Sequence, residues 1–202
     1  MAAMMALLHS AGPQRPFAPP FLKDGDLIVS HVANILFYLG PRLGLVPEDE
    51  GLRHVANALQ LTIVDLVAEV HDTHHPIDPA LHFEDQREAA RARSAAFLDH
   101  RLPKYLTHFA QVLEHGPKSR RWLLGAAPSY VDLSLFQVIE GLHYAFPRAM
   151  KGFATRYPAL AGLRDAVRER PNIARYLASE RRIPFNESGI FRHYPELDQE
   201  SP

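Results

Sequence analysis

Cysteine is absent from this 202-residue sequence, and neither sign of charge is in excess, because the formal net charge at pH 7 is -1. Without cysteine, the chain cannot form disulfides, use a thiolate as a nucleophile or bind a metal through sulfur. A nearly neutral chain also has no bulk field that would draw it to nucleic acid or to an anionic membrane. We therefore expect neither nucleic acid nor membrane among its partners.

Long hydrophobic runs are absent as well. The first residues, MAAMMALLHSAG, have no basic segment and no A-x-A cleavage site, so they do not fit a signal peptide. They are also too short to span a bilayer, and no later run reaches that length without a charge. Since the lack of cysteine fits a reducing compartment, the sequence predicts a cytoplasmic protein.

A hairpin pattern lies near the start of the chain. Two short apolar runs, residues 20–23 and 26–30, flank Asp24-Gly25, a dipeptide typical of β-hairpin turns. Residues 31–39 then have the apolar spacing of a helix, and we interpret the following Gly40-Pro41 as its end.

From residue 51 onward there is no convincing strand pattern, and apolar residues instead recur every three or four positions. The predicted helices cover residues 50–71, 84–114 with a bend at Pro103, 129–146, 155–168 and 171–180. The predicted fold class is therefore α+β, with a small mixed unit over residues 1–42, an all-helical domain over 48–183 and a tail over 184–202.

One helix start has a recognisable cap. In PSYVDLSLF, Ser129 and Asp132 have S-x-x-D spacing directly before an apolar run. This spacing predicts a capping box, in which each of the two side chains binds the backbone amide of the other residue. By itself it indicates a structural role and no chemistry.

Three stretches, in this order, resemble the glutathione transferase superfamily: PPFLKDGDLIVSHVANILFYLG, PSYVDLSLF and RPNIARYLA. The similarity extends to about residue 183 and is greatest to the tyrosine-type classes, such as sigma and pi. It implies a truncated thioredoxin-like domain followed by the all-helical C-terminal domain. The match starts inside the second helix of the family, so the strand-helix-strand that carries the catalytic tyrosine or serine is expected to be absent. We therefore name no catalytic residue.

The resemblance also implies a glutathione site. Pro20 occupies the position of the family's cis-proline, and Pro19 the position whose backbone contacts the cysteinyl part of glutathione; a trans Pro20 is the alternative. His31-Val32 replaces a Gln/Glu-Ser/Thr pair that holds the γ-glutamyl carboxylate at a helix N-terminus. Because valine has no hydroxyl, we expect weak glutathione binding, and His31 is either a donor to that carboxylate or a solvent-facing residue.

Asp65 occupies the position of an acidic residue that, in the family, crosses the dimer interface towards the glutathione amino group of the other subunit. Apolar residues flank it in QLTIVDLVAEV, and a charge in such surroundings needs a reason. The alternative is a partly exposed aspartate that pairs with a nearby arginine.

The segment EVHDTHHP, residues 69–76, is rich in histidine. In the family this stretch lies near the electrophile pocket, so His71, Asp72 and His75 are candidates for shaping it. His71 and His75 have H-x-x-x-H spacing, which also occurs in metal sites. We expect no metal, because no third spaced ligand is obvious, and a solvated helix end is the simplest alternative.

The leading functional hypothesis is a cytoplasmic, dimeric glutathione transferase that joins glutathione to small electrophiles in detoxification. A non-catalytic interaction module with the same fold is the alternative. A metal-dependent hydrolase built on His71 and His75 is a further alternative that the sequence favours less.

Overall fold

The computed structural model of the chain describes residues 2–115 and 121–199. Residue 1 and residues 200–202, which belong to the predicted N-terminal unit and tail, lie outside the described residues. The strands are β1 (Phe21–Asp24) and β2 (Leu27–Ser30). The α-helices are α1 (Ala2–Leu8), α2 (Val32–Arg42), α3 (Glu50–Asp72), α4 (Arg87–Ala96), α5 (Leu102–Glu114), α6 (Tyr130–Ala145), α7 (Phe153–Arg156), α8 (Pro158–Arg168) and α9 (Pro171–Leu177). The α+β class is confirmed.

The hairpin is a two-stranded antiparallel sheet in which Phe21 pairs with Ser30 and Asp24 with Leu27. The turn is one residue later than predicted, at Gly25-Asp26. Gly25 has a φ of 58°, which glycine adopts without steric cost and which the tight turns of hairpins require. Within the described residues this is the only sheet.

The predicted end of α2 at Gly40-Pro41 is wrong, because the helix includes both residues. Its end is formed by Gly44, which has a φ of 64°. The Leu45 amide donates to the Gly40 carbonyl at 2.8 Å, and the Gly44 amide contacts the Pro41 carbonyl at 3.5 Å. These are the two bonds of a Schellman motif, which satisfies helix-end carbonyls through a left-handed glycine.

Gly40 has a packing role instead. A side chain at this position would place its Cβ 2.7 Å from the Tyr130 ring. The absence of a side chain therefore lets α2 lie directly against the first residue of α6.

The helical domain contains nearly all of the core. The fully buried large side chains include Leu66 on α3, Phe109 on α5, Leu135 on α6 and Leu160 on α8. The helix predicted over 84–114 is interrupted, but before Pro103 rather than at it: a π-helical turn over Phe97–Arg101 separates α4 from α5, and Pro103 lies in the first turn of α5. Such turns insert one residue into the helix and redirect it.

The tail packs against the helical domain at Phe185 and over residues 191–198. Phe191 is buried against Gly141, whose missing side chain leaves room for the ring. The Asp198 carboxylate accepts from the Arg148 and Ala149 amides at 2.8 and 3.1 Å. The described helices include none with the length and apolarity that a bilayer crossing needs.

Candidate functional site

A cavity of about 390 Å³ lies between the N-terminal unit and the middle of α3. One wall comes from the loop before β1, the end of β2 and the start of α2. The opposite wall is one face of α3, and the tail contributes one residue at the edge. The lining residues are Phe17, Ala18, Pro19, Pro20, Ser30, His31, Val32, Gln60, Ile63, Val64, Val67 and Ile190. The cavity is thus mainly apolar, with a few polar groups, as small-molecule sites commonly are.

Four of the five residues predicted from the resemblance to hold glutathione meet at this cavity. The peptide bond between Pro19 and Pro20 is cis, so the trans alternative for Pro20 is wrong. Both prolines line the cavity beside His31 and Val32. Whether these residues bind glutathione stays a prediction.

His31 has an unusual backbone conformation. It precedes the first residue of α2 with a φ of 76°, and it is the only non-glycine residue with a positive φ among those described. A non-glycine residue in this region costs about 1–3 kcal/mol and tends to occur at ligand sites. Its side chain is exposed and makes no cap hydrogen bond, which leaves the imidazole free to donate to a bound group.

Gln60 is a lining residue that sequence reasoning missed. Its side chain is only 1% exposed, yet its Oε1 atom has no hydrogen-bond partner among the described residues. A buried acceptor without a donor costs about 1–3 kcal/mol. One sequence signal could have identified it. Gln60 is a polar residue three positions before Ile63, on the helix face whose other cavity-lining residues are apolar.

Asp65 is exposed and points away from the cavity lining. The alternative that pairs it with an arginine is not supported, because no ion pair of Asp65 occurs within residues 2–115 and 121–199. Its place on the outer face of α3 leaves the carboxylate accessible to another molecule.

Comparison with known proteins identifies the family. A family model described as the C-terminal domain of glutathione S-transferase matches residues 71–180, which is more than half of the chain. The chain belongs to the glutathione S-transferase superfamily. Relatives include a glutathione S-transferase of Plasmodium falciparum, 23% identical over 166 residues that cover 80% of this chain and 70% of that protein.

A second relative is glutathione S-transferase 2 of Onchocerca volvulus, 23% identical over 173 residues that cover 84% of this chain and 75% of that protein. Among solved structures, the Pi-class glutathione S-transferase of Onchocerca volvulus matches with a TM-score of 0.62 at 20% identity. This match covers 79% of this chain and 69% of that one. It shows that the glutathione S-transferase fold is shared, in line with the predicted truncated thioredoxin-like unit and helical domain.

In this glutathione S-transferase fold, the candidates for the electrophile pocket lie apart from the cavity. His71, Asp72 and His75 are at the C-terminal end of α3 and do not line it. Asp72 is half exposed and lies 3.7 Å from Arg93. Their assignment to an electrophile pocket stays a prediction.

The alternative of a solvated helix end is wrong for two of the histidines, since His74 and His75 are 1% and 8% exposed. Burial lowers the pKa of His74 to about 4. Burial also lowers the pKa values of His71 and His75, and the charge of Arg192 contributes to this. The three imidazoles are therefore neutral at pH 7.

An ion pair anchors α3 beside these histidines. The Arg101 guanidinium donates to both carboxylate oxygens of Glu69 at 2.7–3.0 Å, and the Tyr105 hydroxyl donates to the same carboxylate at 2.7 Å. The hydrogen bonds from Arg101 are the main cause that lowers the pKa of Glu69. A bidentate contact of this kind holds both side chains in one geometry.

The capping box at α6 is confirmed. Asp132 is fully buried and accepts from the Ser129 amide at 2.7 Å, from the Ser129 hydroxyl at 2.6 Å and from the Leu123 amide at 2.9 Å. It therefore caps α6 and also fixes the segment before it. This site is structural and lies outside the cavity.

Proposed function

We propose that the chain binds glutathione in the cavity beside the cis Pro19–Pro20 bond and conjugates it to small electrophiles, as part of detoxification in the cytoplasm. The observation that carries the proposal is the shared cavity of Pro19, Pro20, His31 and Val32. These are the positions that, by resemblance, hold glutathione. The names of the relatives agree with this proposal.

The chemistry of the walls suits the two halves of a glutathione conjugate. The first turn of α2 presents backbone amides and the positive end of the helix dipole, which favour a carboxylate. His31 adds a donor beside these amides. The α3 wall with Ile63, Val64 and Val67 is apolar and suits a hydrophobic electrophile.

The same proposal includes a homodimer. Val55 and Leu61 are about half exposed on α3, and Asp65 follows Leu61 by one helical turn. Leu61 beside a carboxylate without an ion pair among the described residues is the surface expected if Asp65 reaches the glutathione of a second subunit, whereas Val55 lies about 120° away from Leu61 around the helix. The two-fold symmetry of a homodimer would use this surface twice.

Calorimetric titration of glutathione into the purified chain is the first experiment. We expect saturable but weak binding, because Val32 lacks the hydroxyl of the family pattern. Val32→Ser should raise the affinity by about one to two decades, the effect of a charge-assisted hydrogen bond of roughly 1.5–3 kcal/mol. Val32→Ala also shortens the side chain but adds no donor, and it should not raise the affinity.

A conjugation assay then separates enzyme from binding module. Turnover of a chlorodinitrobenzene electrophile above the uncatalysed rate supports a transferase. Glutathione binding without turnover favours the non-catalytic module, and a folded chain with no binding heat refutes the proposed site. Sedimentation of the chain and of Leu61→Glu tests the dimer, which the added charge should dissociate.

A further inference from the structure

We propose that His71, His74 and His75 form a binding site for a divalent transition metal ion at the C-terminal end of α3. One ring nitrogen of each histidine lies within 4.8 Å of one from each of the others. The rings are close neighbours, with centroids 4.8–5.1 Å apart. The sequence analysis found no third ligand beside His71 and His75. In the structure it is His74, three residues after His71.

The environment of His74 is that of an oriented metal ligand. Its Nε2 atom lies 2.8 Å from the Ile190 carbonyl oxygen, which can only accept, so Nε2 carries the ring proton. The lone pair is therefore on Nδ1, which is buried and has no partner among the described residues. Metal-bound histidines commonly donate their other N–H to a carbonyl in this way.

His75 has a donor group beside each of its ring nitrogens. Arg192 Nη1 lies 3.0 Å from His75 Nε2, and a guanidinium can only donate. Nε2 therefore presents its lone pair to Arg192, and the side-chain amide nitrogen of Gln86 lies 3.1 Å from Nδ1. His75 thus offers its lone pair to a cation, and at present that cation is Arg192.

Three imidazoles at one helix end are suited to a cation. Imidazole is a preferred ligand of zinc, nickel and copper, and it must be unprotonated to bind. The carbonyl end of the α3 dipole also favours positive charge. His71 is only partly buried, which gives an ion access from solvent and leaves room for a water ligand. The nitrogens of a tetrahedral site are about 3.3 Å apart, so the rings must rotate inward and Arg192 must leave.

The proposal predicts one substitution that weakens metal binding and, because Arg192 must be displaced, one that strengthens it. Cobalt(II) is titrated into the full chain without a histidine tag and followed by its visible absorption, with zinc as competitor. We expect one saturable site with a tetrahedral or five-coordinate spectrum. His71→Gln should weaken binding by at least about tenfold, since even changes around ligands cost 10–100-fold. The matched control His108→Gln alters an exposed histidine on α5 and should change nothing.

Arg192→Gln provides the opposite change. It removes the competing cation and should tighten cobalt binding by roughly tenfold, the worth of a displaced charge-assisted hydrogen bond. Arg181→Gln, an exposed change of equal charge, should leave the affinity unaltered. The proposal is overturned if the wild-type spectrum stays that of hydrated cobalt, if His108→Gln weakens binding as much as His71→Gln, or if folded Arg192→Gln binds more weakly. The measurements need no glutathione, so their failure leaves the proposed function untouched.

Discussion

Between Ala2 and Arg42 the buried apolar side chains are those of Pro16, Val29 and Ala33, whereas the buried core of the helical domain extends from Ala56 to Leu197. The N-terminal unit cannot support itself with so little buried surface, because an isolated two-stranded hairpin is marginal in water. It lies against the helical domain through contacts such as Gly40 with Tyr130. The candidate glutathione cavity therefore forms where a dependent unit meets a self-supporting one, and stability and ligand binding can be perturbed separately.

The largest expected effect comes from the helical core. Leu135 on α6 is fully buried, and Leu135→Ala should lower the free energy of unfolding by about 2–5 kcal/mol, as cavity-forming leucine substitutions do. Leu27→Ala, at a half-exposed position of β2, should cost less than about 1 kcal/mol. Urea unfolding measures both, and equal costs would contradict the contrast between the two regions.

The second effect tests the cap that joins α6 to the segment before it. Asp132→Ala leaves the Ser129 and Leu123 amides without their acceptor, and we expect a loss of about 2–3 kcal/mol. Asp165→Ala, an exposed aspartate on α8, is the matched control and should have little effect. A small loss for Asp132→Ala in urea unfolding would show that other groups satisfy these amides.

A third substitution acts on the junction itself. Gly40→Ala would bring a Cβ within 2.7 Å of the Tyr130 ring, so we expect α2 to shift and stability to fall by about 1–3 kcal/mol. Glutathione binding should weaken too, because α2 forms one wall of the cavity. Gly162→Ala has open space around it and should instead stabilise α8 by up to about 1 kcal/mol. If Gly40→Ala leaves the glutathione affinity unchanged, the cavity does not depend on the contact between Gly40 and Tyr130.

Periodicity and local motifs predicted much of this architecture. The hairpin, the long α3 helix, the interruption near Pro103 and the capping box at Ser129 were all visible as patterns, because each depends on residues close in sequence. The end of α2 was mispredicted because Gly40-Pro41 has the form of a stop signal. Two facts override it: Pro41 removes only one amide donor from the helix, and Gly40 is needed for packing against Tyr130.

The candidate site was less predictable because it depends on distant contacts. The resemblance supplied Pro20 and His31, but no pattern indicated that Gln60 would be buried without a donor. The histidine cluster likewise required the tail, since Ile190 orients His74 and Arg192 contacts His75. These residues are more than a hundred positions apart in sequence, and without homologous sequences no local signal connects them.

The smallest expected effect concerns Glu140 of the helical domain, which pairs with Arg164 and Arg168. Its counterpart in the N-terminal unit is the hydrogen bond from Tyr38 to Asp24. Burial raises the pKa of the Glu140 carboxyl, but hydrogen bonds from Arg164 and Arg168 outweigh this, and the pKa is below its ordinary value. The folded state therefore holds the proton less tightly than the unfolded state, so the stabilisation is present above the ordinary carboxyl pKa of about 4.3 and is lost as pH falls through the lowered value. Glu140→Gln should cost about 1–2 kcal/mol at pH 7, between exposed and buried pairs, and the difference from wild type should vanish in acid. Tyr38→Phe, which removes the exposed hydrogen bond to Asp24, should leave the free energy of unfolding in urea unchanged at either pH. If the stability loss of Glu140→Gln persists in acid, the loss comes from packing and not from the ion pairs.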